Sequence, residues 1–221
     1  MRYEAPETVE AAVKLLAGNK GLGRILAGGT DLLVQMRSSM VEPDLVVDIK
    51  KIPAMHKITT EKGGFRIGAA VSGAELSEHP KFSSVWPGVM EAFDLIGSTQ
   101  IQGRCTMVGN LCNASPAADS VPALVAAGAT VAIVGPRRKR EVPVEKIPAG
   151  PGKTTLAKGE IITSIFLPKR PPRTGDAYLR FIPRTEMDIA VVGAGVCLTL
   201  DKNGVCTAAR VSLGAVAPTV L

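Results

Sequence analysis

The sequence predicts an α+β protein built from small units, and three observations carry that prediction. Strand-length apolar runs and a helical-period segment alternate near the N-terminus, polar glycine-rich stretches break up the middle, and beyond residue 172 only strand-like runs remain. A chain of 221 residues, 46% apolar and 21% charged, suits one large or two small domains with real cores and not a disordered polymer.

Each element has a local reason. Val9, Ala12, Val13 and Leu16 share one helical face, with Thr8 as a candidate N-cap and Gly18 as a stop. Residues 24–27 read as a short strand, Gly28 to Asp31 as a sharp turn, and residues 32–36 as the start of a helix. After Pro43, residues 45–49 form a strand, and the polar stretch 50–62 with Pro53 marks a boundary. Residues 65–70 open a second unit as a strand, followed by a capping box at Ser72 and Glu75. Val89, Phe93 and Ile96 mark a helix that Gly97 ends. Residues 98–120 show no sustained period and are rich in Gly, Asn, Ser and Thr; so long a connection is usually functional. A helix over 121–127, a strand over 130–134, a basic turn at 137–140 and a strand over 161–167 complete the unit. The proline-rich stretch 168–173 is a linker. Residues 177–182, 189–200 and 205–213 then form a meander, with the hairpin turn at Asp201 to Gly204. Such a meander, with little chain left to cover its sheet, would be hard to keep soluble alone.

Composition removes several functions. The formal charge of +6 is not spread evenly: residues 1–136 carry 12 basic and 13 acidic side chains, whereas 137–184 carry 12 and 4. A confined excess and 4% aromatics argue against a nucleic-acid platform. Residues 121–134 are the longest weakly polar run, too short for a membrane span, and the polar N-terminus lacks the apolar core of an export signal, so a cytoplasmic protein is expected. Cys105, Cys112, Cys197 and Cys206 form no C-x-x-C pair, and with only His56 and His79 to join them no metal site of this chain's own is expected.

Two motifs carry chemistry. Leu26-Ala27-Gly28-Gly29-Thr30-Asp31-Leu32 places paired glycines between strand and helix, which can aim several backbone N–H groups at one phosphate. An ordinary tight turn capped by Thr30 or Asp31 explains the same residues, and is the commoner case. Thr106, Gly109 and Asn110, running on to Asp119, offer hydroxyls, amides and a carboxylate to a large polar ligand, or else form a surface loop. Three other matches fail: Ile147 stands where a P-loop ending in Gly152-Lys153-Thr154 needs glycine, Leu198 spoils a dinucleotide motif at Gly193 and Gly195, and Arg137 to Arg140 suit a solvated hairpin. No nucleophile–base pair stands out, so any redox chemistry must come from a cofactor.

Together, LAGGTDLL and TMVGNLCNASPAADSVPAL resemble the FAD-binding medium subunits of molybdenum hydroxylases, the group of carbon monoxide dehydrogenase, xanthine dehydrogenase and 4-hydroxybenzoyl-CoA reductase. The similarity runs from Tyr3-Glu4-Ala5-Pro6 through Glu160-Ile161-Ile162 to Arg180 and Met187-Asp188-Ile189-Ala190. It implies a two-subdomain FAD-binding fold of the vanillyl-alcohol-oxidase (PCMH) type, 1–56 and 57–171, with a truncated C-terminal antiparallel-sheet domain at 172–221. It also implies that Leu26 to Leu32 wrap the FAD pyrophosphate, that Thr106, Gly109 and Asn110 continue the cradle, and that Asp119 holds the ribose or ribityl region. Ile162 would pack near the isoalloxazine, Arg180 would lie by its polar edge, and Arg184 and Asp188 would fall on the acceptor side. By the same resemblance the molybdenum cofactor and [2Fe-2S] clusters sit on a large and a small partner subunit. Electrons would leave through FAD to NAD, a quinone or another small acceptor. A self-contained FAD oxidase and an assembly module that no longer binds FAD are the alternatives. One departure matters: Val108 occupies a family glycine slot, and if that slot demanded positive φ the cradle would shift and FAD affinity would fall.

Overall fold

The computed structural model describes residues 1–185 and 187–221. The first unit is a parallel sheet, β1 (Arg2–Glu4), β2 (Gly23–Leu26) and β3 (Leu45–Asp48), in the order β1-β3-β2. Helices α1 (Val9–Gly18) and α2 (Leu32–Arg37) make its crossovers. As the spacing predicts, Ala12, Val13 and Leu16 are the buried face of α1, and the Thr8 hydroxyl accepts a hydrogen bond from the Ala11 N–H at 3.2 Å.

The second unit is an antiparallel sheet of β4 (Ile58–Glu61), β5 (Gly64–Gly68), β6 (Thr130–Val134), β7 (Lys139–Pro143) and β10 (Ile161–Leu167), ordered β4-β5-β10-β6-β7. Between β5 and β6 run six helices: α3 (Gly73–Ser77), α4 (Phe82–Val85), α5 (Pro87–Asp94), α6 (Thr99–Gln102), α7 (Met107–Asn113) and α8 (Ser120–Ala126). A small hairpin, β8 (Pro148–Gly150) with β9 (Lys153–Thr154), precedes β10. Phe82, Trp86 and Phe93 are the largest side chains of the core and are fully buried. The capping box is present in both directions, between the Ser72 and Glu75 backbone and side-chain atoms.

Two stretches expected to be irregular are ordered. The polar stretch 50–62 contains β4, an edge strand whose hairpin turns at Lys62 and Gly63, both at positive φ. An edge strand needs little apolar alternation, so the pattern did not show it. Residues 98–120 hold α6 and α7, each under two full turns and hence without a visible period. Val108 lies inside α7 with helical φ and is buried, so its slot makes no demand for positive φ and the conditional shift of the cradle does not arise.

The third sheet is antiparallel, β11 (Thr174–Phe181), β12 (Val192–Leu200) and β13 (Cys206–Gly214), in sequence order. One of its faces is covered by α5 and α8. The Asp176 carboxylate accepts from the Val89 N–H at 3.2 Å, and Glu91 accepts from the Tyr178 N–H at 3.0 Å. Gly195 leaves room for the Pro122 carbonyl of α8, and Gly193 for the Tyr178 ring, which accounts for the glycine pair that fails as a dinucleotide motif. The opposite face is apolar and open, with Leu179, Phe181 and Val211 at 78%, 60% and 57% exposure.

Candidate functional site

A cavity of about 720 Å³ lies between the first unit and the helical side of the second. That is within the roughly 300–1,000 Å³ of small-molecule and cofactor pockets. Two loops border it. The turn between β2 and α2 contributes Ala27 to Leu32, and the start of α7 contributes Thr106, Gly109 and Asn110. Ile162 of β10 forms part of the wall and is 2% exposed. Leu26 closes β2 opposite Asp48, and its side chain does not line the cavity.

Backbone geometry explains the glycines. A Cβ on Gly28 would run into the Arg104 carbonyl, so this residue lets the first loop pack directly on the second. Gly29 has φ +77, the left-handed region that disfavours any side chain. Among the described residues, the N–H groups of Ala27, Gly28, Gly29, Thr30 and Asp31 donate to no protein acceptor. Five successive backbone donors bordering a cavity need an acceptor from outside the chain, and an anion with several oxygens supplies it best.

Side chains brace the two loops and leave donors to spare. The Thr106 hydroxyl caps α7 by accepting from the Gly109 N–H at 2.9 Å. The Asn110 carbonyl accepts from the Ser120 hydroxyl at 2.6 Å, which leaves the Asn110 amide hydrogens free for a ligand. Gln35 on α2 donates to Asn113 on α7 at 2.9 Å and so ties the helices together. Cys105 and Cys112 also line the cavity, and burial pushes their thiols up to about 11 and about 12. Both stay neutral near pH 7 and are no nucleophiles.

A second cavity of about 290 Å³ adjoins the first through Asp31, Ile96, Asn110 and Asn113. Asp119 and Arg180 line it. Asp119, to which the resemblance assigns the ribose or ribityl region, faces this smaller cavity. Its two oxygens are already engaged, one by the Tyr178 hydroxyl at 2.8 Å and the other by Arg180 at 2.9 Å, and it does not line the larger cavity. Burial, reinforced by the neighbouring carboxylate, pushes the Tyr178 phenol far up, so it remains a donor to Asp119. Sequence reasoning missed Tyr178. The available signal was the period-2 spacing of Asp176, Tyr178 and Arg180, which puts three polar side chains on one face of a strand.

His56 and His79 lie outside both cavities: His56 contacts the Lys50 carbonyl, and His79 packs edge-on against Phe65. Among the described residues no group of three or more His, Cys, Asp or Glu could hold a metal ion. The site can therefore bind and orient an extended, phosphate-bearing ligand, but supplies no acid–base pair of its own.

Comparison with known proteins agrees with that chemistry. Residues 1–170 match the family described as the FAD binding domain in molybdopterin dehydrogenase, and residues 177–221 match the CO dehydrogenase flavoprotein C-terminal domain. The chain is 33% identical to a xanthine dehydrogenase FAD-binding subunit of Escherichia coli O157:H7, over 98% of its own length and 74% of that subunit. It is 32% identical to the nicotinate dehydrogenase FAD-subunit of Eubacterium barkeri, over 97% of the chain and 74% of the relative. The solved structure of reconstituted CO dehydrogenase from Oligotropha carboxidovorans matches with a TM-score of 0.94 at 31% identity, covering 100% of this chain and 77% of that one.

Proposed function

The chain belongs to the family of FAD-binding domains in molybdopterin dehydrogenases, and from that premise we propose how it seats its cofactor and serves electron transfer. It is an FAD-binding subunit of a molybdenum-containing oxidoreductase. A large subunit with the molybdenum cofactor and a small one with [2Fe-2S] clusters are its partners, and it works in the cytoplasm. Three units, 1–56, 57–171 and 172–221, are the division we propose.

The residues present fit the cofactor. The run of unpartnered N–H groups from Ala27 to Asp31 is the observation that carries this reading, because it offers several adjacent donors to an anionic oxygen cluster in a cavity within the size range of cofactor pockets. Of the loop Leu26 to Leu32, Ala27 to Asp31 hold the pyrophosphate through backbone amides while Leu26 anchors the loop in β2, and Thr106, Gly109 and Asn110 continue the cradle. Ile162 gives an apolar wall near the isoalloxazine. Arg180 lies at its polar edge, oriented by Asp119, whose remaining lone pairs hold the ribose or ribityl hydroxyls. When bound, FAD would supply the redox chemistry between the partner's iron–sulfur clusters and the acceptor. The chain's own residues bind it, orient it and exclude water from the Ile162 side; none moves a proton.

The acceptor is NAD, a quinone or another small carrier that approaches from the Arg184–Asp188 side, where the two side chains pair at 2.7 Å. A self-contained oxidase would need its own substrate domain, often with a histidine that tethers the flavin, and neither His56 nor His79 lines the cavities. The test is to mix the FAD-loaded chain anaerobically with its large and small partners, the latter reduced with dithionite. Bleaching of the flavin band only when the small subunit is present supports the reading. Flavin that stays oxidised, or that remains on the protein through acid precipitation, contradicts it.

A further inference from the structure

The glycine loop is held from behind by a residue that no motif points to. Lys50 follows β3, and its ammonium donates to the Ala27 carbonyl at 3.1 Å and to the Asp48 carboxylate at 2.8 Å. Asp48 is 6% exposed, and its oxygens also accept from the Tyr3 hydroxyl at 2.6 Å and the Lys50 N–H at 2.9 Å. The Lys50 carbonyl in turn contacts the His56 ring at 2.7 Å. The ammonium is therefore fixed at both ends of its reach, by a buried acid anchored in the sheet and by the first peptide of the cradle.

A planar trans peptide sends its C=O and the following N–H in opposite directions. Pinning the Ala27 carbonyl on Lys50 thus fixes which way the Gly28 N–H points, and Ala27 and Gly28 both border the cavity. The cation also pulls electron density toward that carbonyl, which makes the Gly28 N–H a stronger donor. Glycine at 28 and 29 leaves the loop otherwise free to rotate its peptides, so a loop that packs closely needs such an external clamp.

We propose that Lys50, anchored by Asp48 and Tyr3, is a positioning residue of the dinucleotide cradle, clamping the Ala27–Gly28 peptide so that its N–H is presented to the FAD pyrophosphate. The proposal rests on the FAD reading above and adds to it a residue outside both loops.

The test uses the deflavinated 221-residue chain titrated with FAD, read by quenching of flavin fluorescence and by 31P resonances of the bound pyrophosphate. Lys50→Met is expected to weaken FAD binding about tenfold, the size of one charge-assisted hydrogen bond, and to shift the pyrophosphate resonances. Lys50→Arg, which can donate to both partners, recovers most of the loss. Because Lys50→Met strands the Asp48 carboxylate, Asp48→Asn/Lys50→Met is measured beside it; it melts close to the wild-type apo chain and shows the same weakened FAD binding and the same 31P shift. Wild-type affinity in both Met variants, or weaker binding with unshifted 31P resonances, would overturn the clamp while leaving the FAD reading intact. A wild-type chain that takes up no FAD would overturn the reading itself, and the clamp with it.

Discussion

At the scale of single residues, the cradle depends on where side chains are absent and where they are tolerated. Gly28 touches the Arg104 backbone, so Gly28→Ala forces the two loops apart. Overpacking of this kind costs about 1–3 kcal/mol, and urea denaturation of the apo chain should show it together with a loss of FAD binding. Val108 behaves oppositely. It is a buried helical residue, so Val108→Gly should cost about 2 kcal/mol in stability through lost burial and helix propensity, without any gain in FAD affinity. A tighter-binding Val108→Gly chain would contradict the helical placement. The thiols divide in the same way: Cys206 is exposed, whereas burial holds Cys105 and Cys112 near 11 and 12. One equivalent of a water-soluble disulfide reagent should react quickly in the folded chain, and rapid reaction at Cys105 would contradict its burial. The glycine loop was legible in the sequence as a short motif; the unpartnered N–H groups and the hold of Lys50 were not, because both depend on contacts between distant segments.

Elements join through polar contacts that carry most of the structural logic outside the core. The inner face of β11 meets α5 and α8 through Asp176, Tyr178 and Arg180, and Asp119 at the start of α8 takes the last two. Asp119→Ala leaves a buried guanidinium and phenol without their acceptor, which should destabilise the chain by about 3–5 kcal/mol in denaturant titration. A change under about 1 kcal/mol would mean that the pair is solvated, as exposed ion pairs are. A second junction is sensitive to pH. Arg140 on β7 holds Glu160, at the start of β10, by two hydrogen bonds of 3.0 and 2.7 Å and keeps its carboxyl below the usual range. The stability this gives is complete above the ordinary glutamate value of about 4.3 and is lost as pH falls through the depressed folded value. The stability gap between the wild type and Glu160→Gln should therefore be constant near neutrality and close in acid. A gap that widened on acidification would contradict the sign. Long or strongly patterned elements such as α1, β6 and β10 were readable from sequence. The edge strand β4 was not, since it is largely polar, nor were α6 and α7, since a helix of under two turns shows no 3.6-residue period.

For the molecule as a whole, the +6 charge has a more specific distribution than the sequence suggested. Of the 12 basic residues between 137 and 184, Arg140, Arg170, Arg180 and Arg184 are bound to Glu160, Asp176, Asp119 and Asp188. Arg170 and Arg180 tie the third unit to the second and Arg140 braces the second sheet, whereas Arg184, its side chain 78% exposed, pairs only within its own loop. Lys20, Arg24 and Lys158 line the large cavity and make no ion pair among the described residues; against Asp31, and Glu160 already paired with Arg140, they leave an excess of positive charge that favours an anionic ligand. FAD uptake should accordingly slow several-fold as ionic strength rises from about 0.01 to about 0.5 M, measured by stopped-flow quenching; a salt-independent rate would contradict steering. The β-α-β first unit and the final meander were visible in outline; the antiparallel order of the second sheet was not, because its central strand β10 pairs with β5 and β6 across long connections. The covering of that meander by α5 and α8 was not, because Gly88, Gly193 and Gly195 give their contacts by lacking side chains. All of these relations converge on one claim, that the cavity between the two loops holds a flavin dinucleotide by its pyrophosphate. The direct measurement is to saturate the purified chain with FAD, FMN or riboflavin, remove free ligand, and record the visible spectrum against protein concentration. The account predicts one FAD retained per chain, with FMN and riboflavin lost; no retained flavin, or riboflavin held as well as FAD, would contradict it.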